Sequence, residues 1–159
     1  IRPCVSALRY TADTGVLIKT YKDKGEQRHS ETLATILANT LPPSWMTWAN
    51  GVTYVSATNA ARRRRGFDHM ELLTRSLADQ CGLPCIRTLN PPATRDQRIL
   101  GKTERKQNMQ GRFTACEPLS GRRLLLIDDV FTTGATMDQA GIALELAGAR
   151  VRCATVARV

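Results

Sequence analysis

Leu-Leu-Leu-Ile-Asp-Asp-Val-Phe-Thr-Thr-Gly-Ala-Thr, residues 124–136, joins an apolar run to a pair of acids and a glycine turn. The pattern predicts a strand, a loop and a helix N-terminus. An unbroken aliphatic run suits a strand buried on both faces of a parallel sheet. Ligands of open α/β sheets bind just beyond the carboxyl ends of such strands, where Asp128 and Asp129 stand. The turn 132–136 opens onto the helix, whose backbone N–H groups and dipole suit a phosphate. Thr132, Thr133 and Thr136 add hydroxyls, and Gly134 lets the backbone approach closely. Thr136 and Gln139 have the spacing of a capping box.

Downstream, Ala140, Ala143, Leu144 and Ala147 share one helical face, Gly148 is a natural stop, and 151–157 reads as the last strand. Together 124–157 forms a βαβ unit. Upstream, 52–57 (Val-Thr-Tyr-Val-Ser-Ala) is rich in β-branched residues and reads as a strand. Met70, Leu73, Leu77 and Cys81 then recur at helical spacing before Gly82 and Pro84, and 85–89 is a short strand candidate. Ser30 followed by Leu33, Ile36, Leu37 and Leu41 predicts a helix ending before Pro42-Pro43. Residues 2–21 alternate weakly around Asp13-Thr14-Gly15, which reads as a hairpin or an extended lead-in; 22–28 reads as a loop or helix start. Residues 90–117 interrupt this order with a basic, glutamine-bearing excursion. The expected fold class is α/β, a parallel twisted sheet flanked by helices, as a single domain over 1–159.

The 159 residues carry 23 Lys and Arg against 14 Asp and Glu, a net charge of +9. That favours anionic partners (phosphates, nucleotides, nucleic acid) without choosing among them. Five cysteines form no Cys-x-x-Cys, and neither His29 nor His69 lies at ligand spacing from one, which argues against a zinc site within the chain. The thiols read as reduced, the compartment as cytoplasmic, and Cys153 as buried. No apolar run approaches the roughly 20 residues that span a bilayer, so no membrane insertion is expected. There is no dinucleotide-binding glycine fingerprint and no P-loop.

The 124–136 stretch resembles the phosphoribosyl-pyrophosphate (PRPP) motif of the type I phosphoribosyltransferases. The resemblance implies that Asp128 and Asp129 hold the ribose hydroxyls. It implies a 5′-phosphate on Thr132, Thr133, Gly134, Ala135 and Thr136, and Mg²⁺ held mainly through PRPP near the two acids. Further stretches resemble the ComF branch, which is associated with DNA uptake. These are Arg65-Gly66-Phe67-Asp68-His69 with Glu71-Leu72-Leu73 and Leu77-Ala78; Thr94, Gln97, Leu100, Arg105, Asn108, Gly111 and Phe113; and Ala147-Gly148-Ala149 into Ala157-Arg158. Lys22 and Gly25 match a Lys-x-x-Gly of the branch. Its Arg-Gly-Phe-Asn-Gln is altered here at Asp68 and His69. Its Val-Pro-Val-Pro is replaced by Thr53, Tyr54, Val55 and Ser56, so the loop 56–62 is expected to be less preorganised. The implied pyrophosphate set is Ser56, Ala57, Thr58, Arg62 and Arg65. The basic 90–117 segment corresponds to a small irregular hood over the acceptor, and the branch's upstream zinc segment is expected to be absent, with Cys4 as its remnant.

Two functions are then expected as alternatives. One is an enzyme that transfers phosphoribosyl from PRPP to a nucleobase-like acceptor and releases pyrophosphate, with the paired acids favouring positive charge on the ring. The other is a competence factor that binds single-stranded DNA or DNA-uptake proteins, with PRPP or a nucleotide as regulatory ligand. The run Arg62–Arg65 suits pyrophosphate, a nucleic-acid backbone or a solvated helix end. His69 reads as a helix-opening residue, and Trp45 and Trp48 as packing against the core. Both aspartates are expected to face the sugar rather than be turned into a buried ion pair.

Overall fold

The computed structural model describes residues 2–24, 27–92 and 111–159. In chain order they form β1 (Cys4–Arg9), α1 (Ala12–Lys24), α2 (Gln27–Thr40), α3 (Pro43–Trp48), β2 (Gly51–Tyr54), α4 (Asn59–Arg65), α5 (His69–Cys81), β3 (Arg123–Phe131), α6 (Ala135–Leu146) and β4 (Arg150–Arg158). The strands make one sheet in the order β1-β4-β3-β2, and every pairing is parallel. β3 is central, with Leu124 opposite Gly51 on one side and Val151 on the other.

The aliphatic run of β3 separates the two cores by simple alternation. Leu125 and Ile127 pack with Tyr21, Leu33, Leu37, Leu73 and Leu77 of α1, α2 and α5. Leu124 and Leu126 pack on the opposite face with Met137, Ala140 and Leu144 of α6, and with Leu89, Phe113 and Leu119. All four β3 residues are 0% exposed, and each contributes roughly 1.5–3 kcal/mol relative to an exposed side chain. Leu33 and Leu37 of α2, and Leu41 just past its end, face the core, as their spacing predicts. α5 closes on Gly82, whose left-handed backbone (φ 67°) releases the chain from the helix. Cys153 is buried, and Trp45 and Trp48 pack partly buried against the core.

Several local expectations change. Residues 2–21 are neither a hairpin nor wholly extended: β1 pairs in parallel with β4, and Asp13-Thr14-Gly15 lies in the first turn of α1. Thr11 and Thr14 open that helix by reciprocal bonds, each hydroxyl accepting the other's backbone N–H. Gly15 serves a close approach there, since a Cβ would meet the Tyr10 hydroxyl at 2.8 Å. α1 continues through Lys22 to Lys24. The 85–89 strand contracts to two isolated bridges, Cys85 parallel to Val52 and Leu89 antiparallel to Ala115. The Thr136–Gln139 capping box does not form, because Gly134 occupies the N-cap with no side-chain bond. Most of the 90–117 excursion, including Thr94, Gln97, Leu100, Arg105 and Asn108, lies outside the described residues, as does Gly25.

Candidate functional site

β3 carries Asp128 and Asp129 on its last turns of pleat, and the chain then reverses through 132–134 into α6. Asp128 lines a small pocket with Thr132, Gly134, Ala135, Thr136 and Thr155. Gly134 is required there twice over. Its φ is 80°, and a Cβ would stand 2.6 Å from the Phe131 ring. The Thr133 hydroxyl accepts the Ala135 N–H at 3.3 Å, while the other first-turn amides of α6 have no acceptor within the helix. Of the predicted phosphate residues, four line the pocket and Thr133 braces the turn from outside.

Asp129 points the other way. Its carboxylate is ion-paired with Lys22 of α1, and its Oδ2 lies 3.3 Å from His69 Nε2 at the start of α5. Successive strand residues project to opposite faces, so one acid reaches the α6 side and the other the α1/α5 side. Asp129 is thus held in an ion pair, against the expectation for it, with its side chain 14% exposed. Burial, then the neighbouring charge of Asp129, pushes the Asp128 carboxyl up to about 7. Burial acts in the same sense on Asp129, but the His69 hydrogen bond and the Lys22 ammonium outweigh it and bring that carboxyl down to about 2.

Of the residues around Asp129, Tyr21 and Lys22 have no role assigned from the sequence. Lys22 and Tyr21 are neighbours on α1; the Tyr21 hydroxyl donates to the His69 carbonyl, and the two rings meet edge-on at 5.7 Å. Arg65, ending α4, lies 3.3 Å from His69 Nδ1. His69 is therefore more than a helix-opening residue: it bridges Arg65 and Asp129 from a site 6% exposed. The spacing of Arg65 and His69, and the match of Lys22 to the branch motif, were the available signals.

The five predicted pyrophosphate residues are dispersed. Ser56 is buried, its hydroxyl donating to the Leu89 carbonyl at 3.4 Å. The Ala57 N–H donates to Asp68 Oδ2 at 3.1 Å. Thr58 caps α4 by accepting the Ala61 N–H. Arg62 lines a separate concavity with Asn59, Arg63, Gly66 and Phe67. Only Arg65 connects to the acids, through His69. The absent prolines do not leave the loop untethered: Asp68, a departure from the branch pattern, holds Ala57 and also caps α5 through the Met70 N–H at 3.0 Å.

Asp128 and Asp129 offer hard oxygen donors of the kind Mg²⁺ prefers. Among the described residues no three His, Cys, Asp or Glu stand together as a metal cluster. A wider concavity, lined by Arg2, Trp48, Asp138, Glu145, Arg150 and Arg152 among others, lies at the opposite, amino end of β4. There the Arg152 guanidinium sits over Trp48 at 4.2 Å and Trp45 at 5.4 Å. No helix among the described residues is long and apolar enough to cross a membrane.

No protein-family model matches the chain. It is 34% identical over 76 residues to DNA utilization protein YhgH of Escherichia coli K12, covering 46% of this chain and 34% of that protein. It is 31% identical over 81 residues to Competence protein F of Haemophilus influenzae, covering 48% and 35%. The matched segments thus amount to about a third of the length of these curated relatives. Among solved structures, the glutamine PRPP amidotransferase from B. subtilis aligns with a TM-score of 0.53 at 19% identity, over 79% of this chain and 25% of that one. The orotate phosphoribosyltransferase from Aeropyrum pernix aligns at 0.51 and 14% identity, over 86% and 75%. At such identities the likeness is one of fold.

Proposed function

We propose, for a chain similar in sequence to Competence protein F and built on the type I phosphoribosyltransferase fold, that the carboxyl end of β3 binds PRPP. The observation that carries this reading is the pocket shared by Asp128 with Thr132, Gly134, Ala135 and Thr136. An anion there meets unpaired first-turn amides and the positive end of α6. Asp128 then takes a ribose hydroxyl, and Asp129 takes the next once Lys22 yields it. The pyrophosphate extends toward Arg65, whose fork matches phosphate oxygens. Mg²⁺, when bound beside Asp128 and Asp129, supplies charge neutralisation for the diphosphate. Turnover follows if a nucleobase-like acceptor attacks C1 as the C1–O bond to pyrophosphate breaks. The two carboxylates favour the positive charge that builds on the ring. Binding takes place in the cytoplasm.

Calorimetry with PRPP and Mg²⁺ tests the binding, and pyrophosphate release across a panel of purine and pyrimidine bases tests the transfer. Heat from PRPP that disappears in Gly134→Val is the expected result; absence of heat in the wild type removes the reading.

A second reading is a DNA-handling factor that binds single-stranded DNA or DNA-uptake proteins, with PRPP as regulatory ligand. The net charge of +9 and the arginine stacked on paired tryptophans support it. It requires DNA retention that falls steeply with salt; no retention at low salt counts against it.

A further inference from the structure

Arg65 is placed unusually for an arginine. Among the described residues its guanidinium pairs with no carboxylate; Nη1 faces the ring nitrogen Nδ1 of His69 at 3.3 Å, and its Nε is buried with no partner. A guanidinium carries only donors, so Nδ1 must accept. The ring proton then sits on Nε2, which donates to Asp129 Oδ2 at 3.3 Å. The three side chains come from the end of α4, the start of α5 and the end of β3. Gly66, in the left-handed region at φ 79°, turns the chain between the first two.

The groups facing His69 are thus Arg65 from α4, Tyr21 and Lys22 from α1, Asp68 at the head of α5, and Asp129 from β3. Asp68 is committed to the Ala57 and Met70 amides, and Tyr21 to the His69 carbonyl. Of these groups, Arg65 holds a buried donor without an acceptor among the described residues.

We propose that Arg65 and His69 are positioning residues that couple the anionic end of the ligand to its sugar end through Asp129. The inference rests on the PRPP reading and goes beyond it. A diphosphate offers Arg65 two charged acceptors, which a ring nitrogen does not match. When Arg65 turns to the diphosphate, the imidazole loses the donor that fixes its rotation and its hold on Asp129 loosens. The carboxylate is then released to sugar hydroxyls. Affinity for the anion and affinity for the sugar therefore rise together, as linkage requires.

The probes are ribose 5-phosphate and inorganic pyrophosphate, titrated singly and each in the presence of the other, on the full chain. Repulsion between the two anions acts equally in wild type and variants, so the difference between them isolates the relay. Saturating pyrophosphate is expected to tighten ribose 5-phosphate in the wild type by roughly five-fold or more over its effect in His69→Leu. His69→Gln is expected to keep the coupling, because one amide can accept from Arg65 and donate to Asp129. Nitrogen-15 spectra of the His69 ring are expected to show the Nε2–H tautomer and to shift at Nδ1 when pyrophosphate is added. Equal coupling in wild type and His69→Leu, or a ring signal that stays still while pyrophosphate binds, overturns the relay and leaves the functional reading standing. If neither probe binds the wild type, the functional reading falls and takes the relay with it.

Discussion

The loop after β3 and the loop after β2 leave the same end of one sheet but use their polar groups in opposite ways. After β3, a glycine at φ 80° turns the chain and, as N-cap, brings no side chain to the helix it opens, so that Thr133 alone takes a first-turn amide among the described residues. After β2, the Ala57 amide is taken by Asp68, the Ser56 hydroxyl by the Leu89 carbonyl, and Thr58 caps α4. The first loop leaves donors for a ligand; the second directs them inward. Under the proposed function a phosphate site belongs to the first, and the second serves the fold and reaches the ligand through the side chain of Arg65.

Gly134→Val gives the largest expected contrast. Left-handed backbone costs a side chain roughly 1–2 kcal/mol, and the Phe131 ring must also move, so ribose 5-phosphate affinity should fall about 100-fold or more by calorimetry. Retained binding would break the distinction between the loops. Asp68→Ala probes the other loop. It removes one cap and one buried amide partner, so urea unfolding should show a loss of about 2 kcal/mol while ribose 5-phosphate affinity stays within about two-fold. A large affinity loss with little destabilisation would reverse the assignment of roles.

Asp128→Asn sharpens the comparison through pH. Asp128 is raised to about 7 by burial and by Asp129, from an unfolded value near about 4. The native state therefore binds more protons between these values, and this group makes stability fall as pH rises through that window. Melting temperature should drop from pH 5 to pH 8 in the wild type, and less so in Asp128→Asn. Asp129 has the opposite sign. Its lowered carboxyl stabilises the fold above the unfolded value, and that contribution is lost only as pH falls toward about 2. The smallest effect is expected for Lys22→Met. The pair it breaks is partly solvated, with Lys22 28% exposed, so stability should change by less than about 1 kcal/mol in chemical denaturation.

Much of this was legible in the residues themselves. The β3 run, the turn and α6 follow from hydrophobicity and glycine placement, and the buried faces of α2 and α5 follow from their period. β1 was harder, because what makes it a strand is β4, which no local pattern contains. Gly15 looked like a turn signal because glycine marks both turns and close approaches, and only the Tyr10 hydroxyl decides between them. That Asp128 and Asp129 face opposite ways was present in the two-residue period of any strand. The contacts of Asp129 with Lys22 and His69 are tertiary, joining positions on α1 and α5 to the end of β3.

The edge strand has a consequence for how the sheet is completed. Among the described residues β1 pairs only with β4, so the Ser6 hydroxyl meets that of Thr155 across 149 positions of chain. A ribosome must make all of the chain between β1 and β4 before β1 has its partner. Late closure of this kind slows folding and leaves early hydrophobic surface uncovered during synthesis.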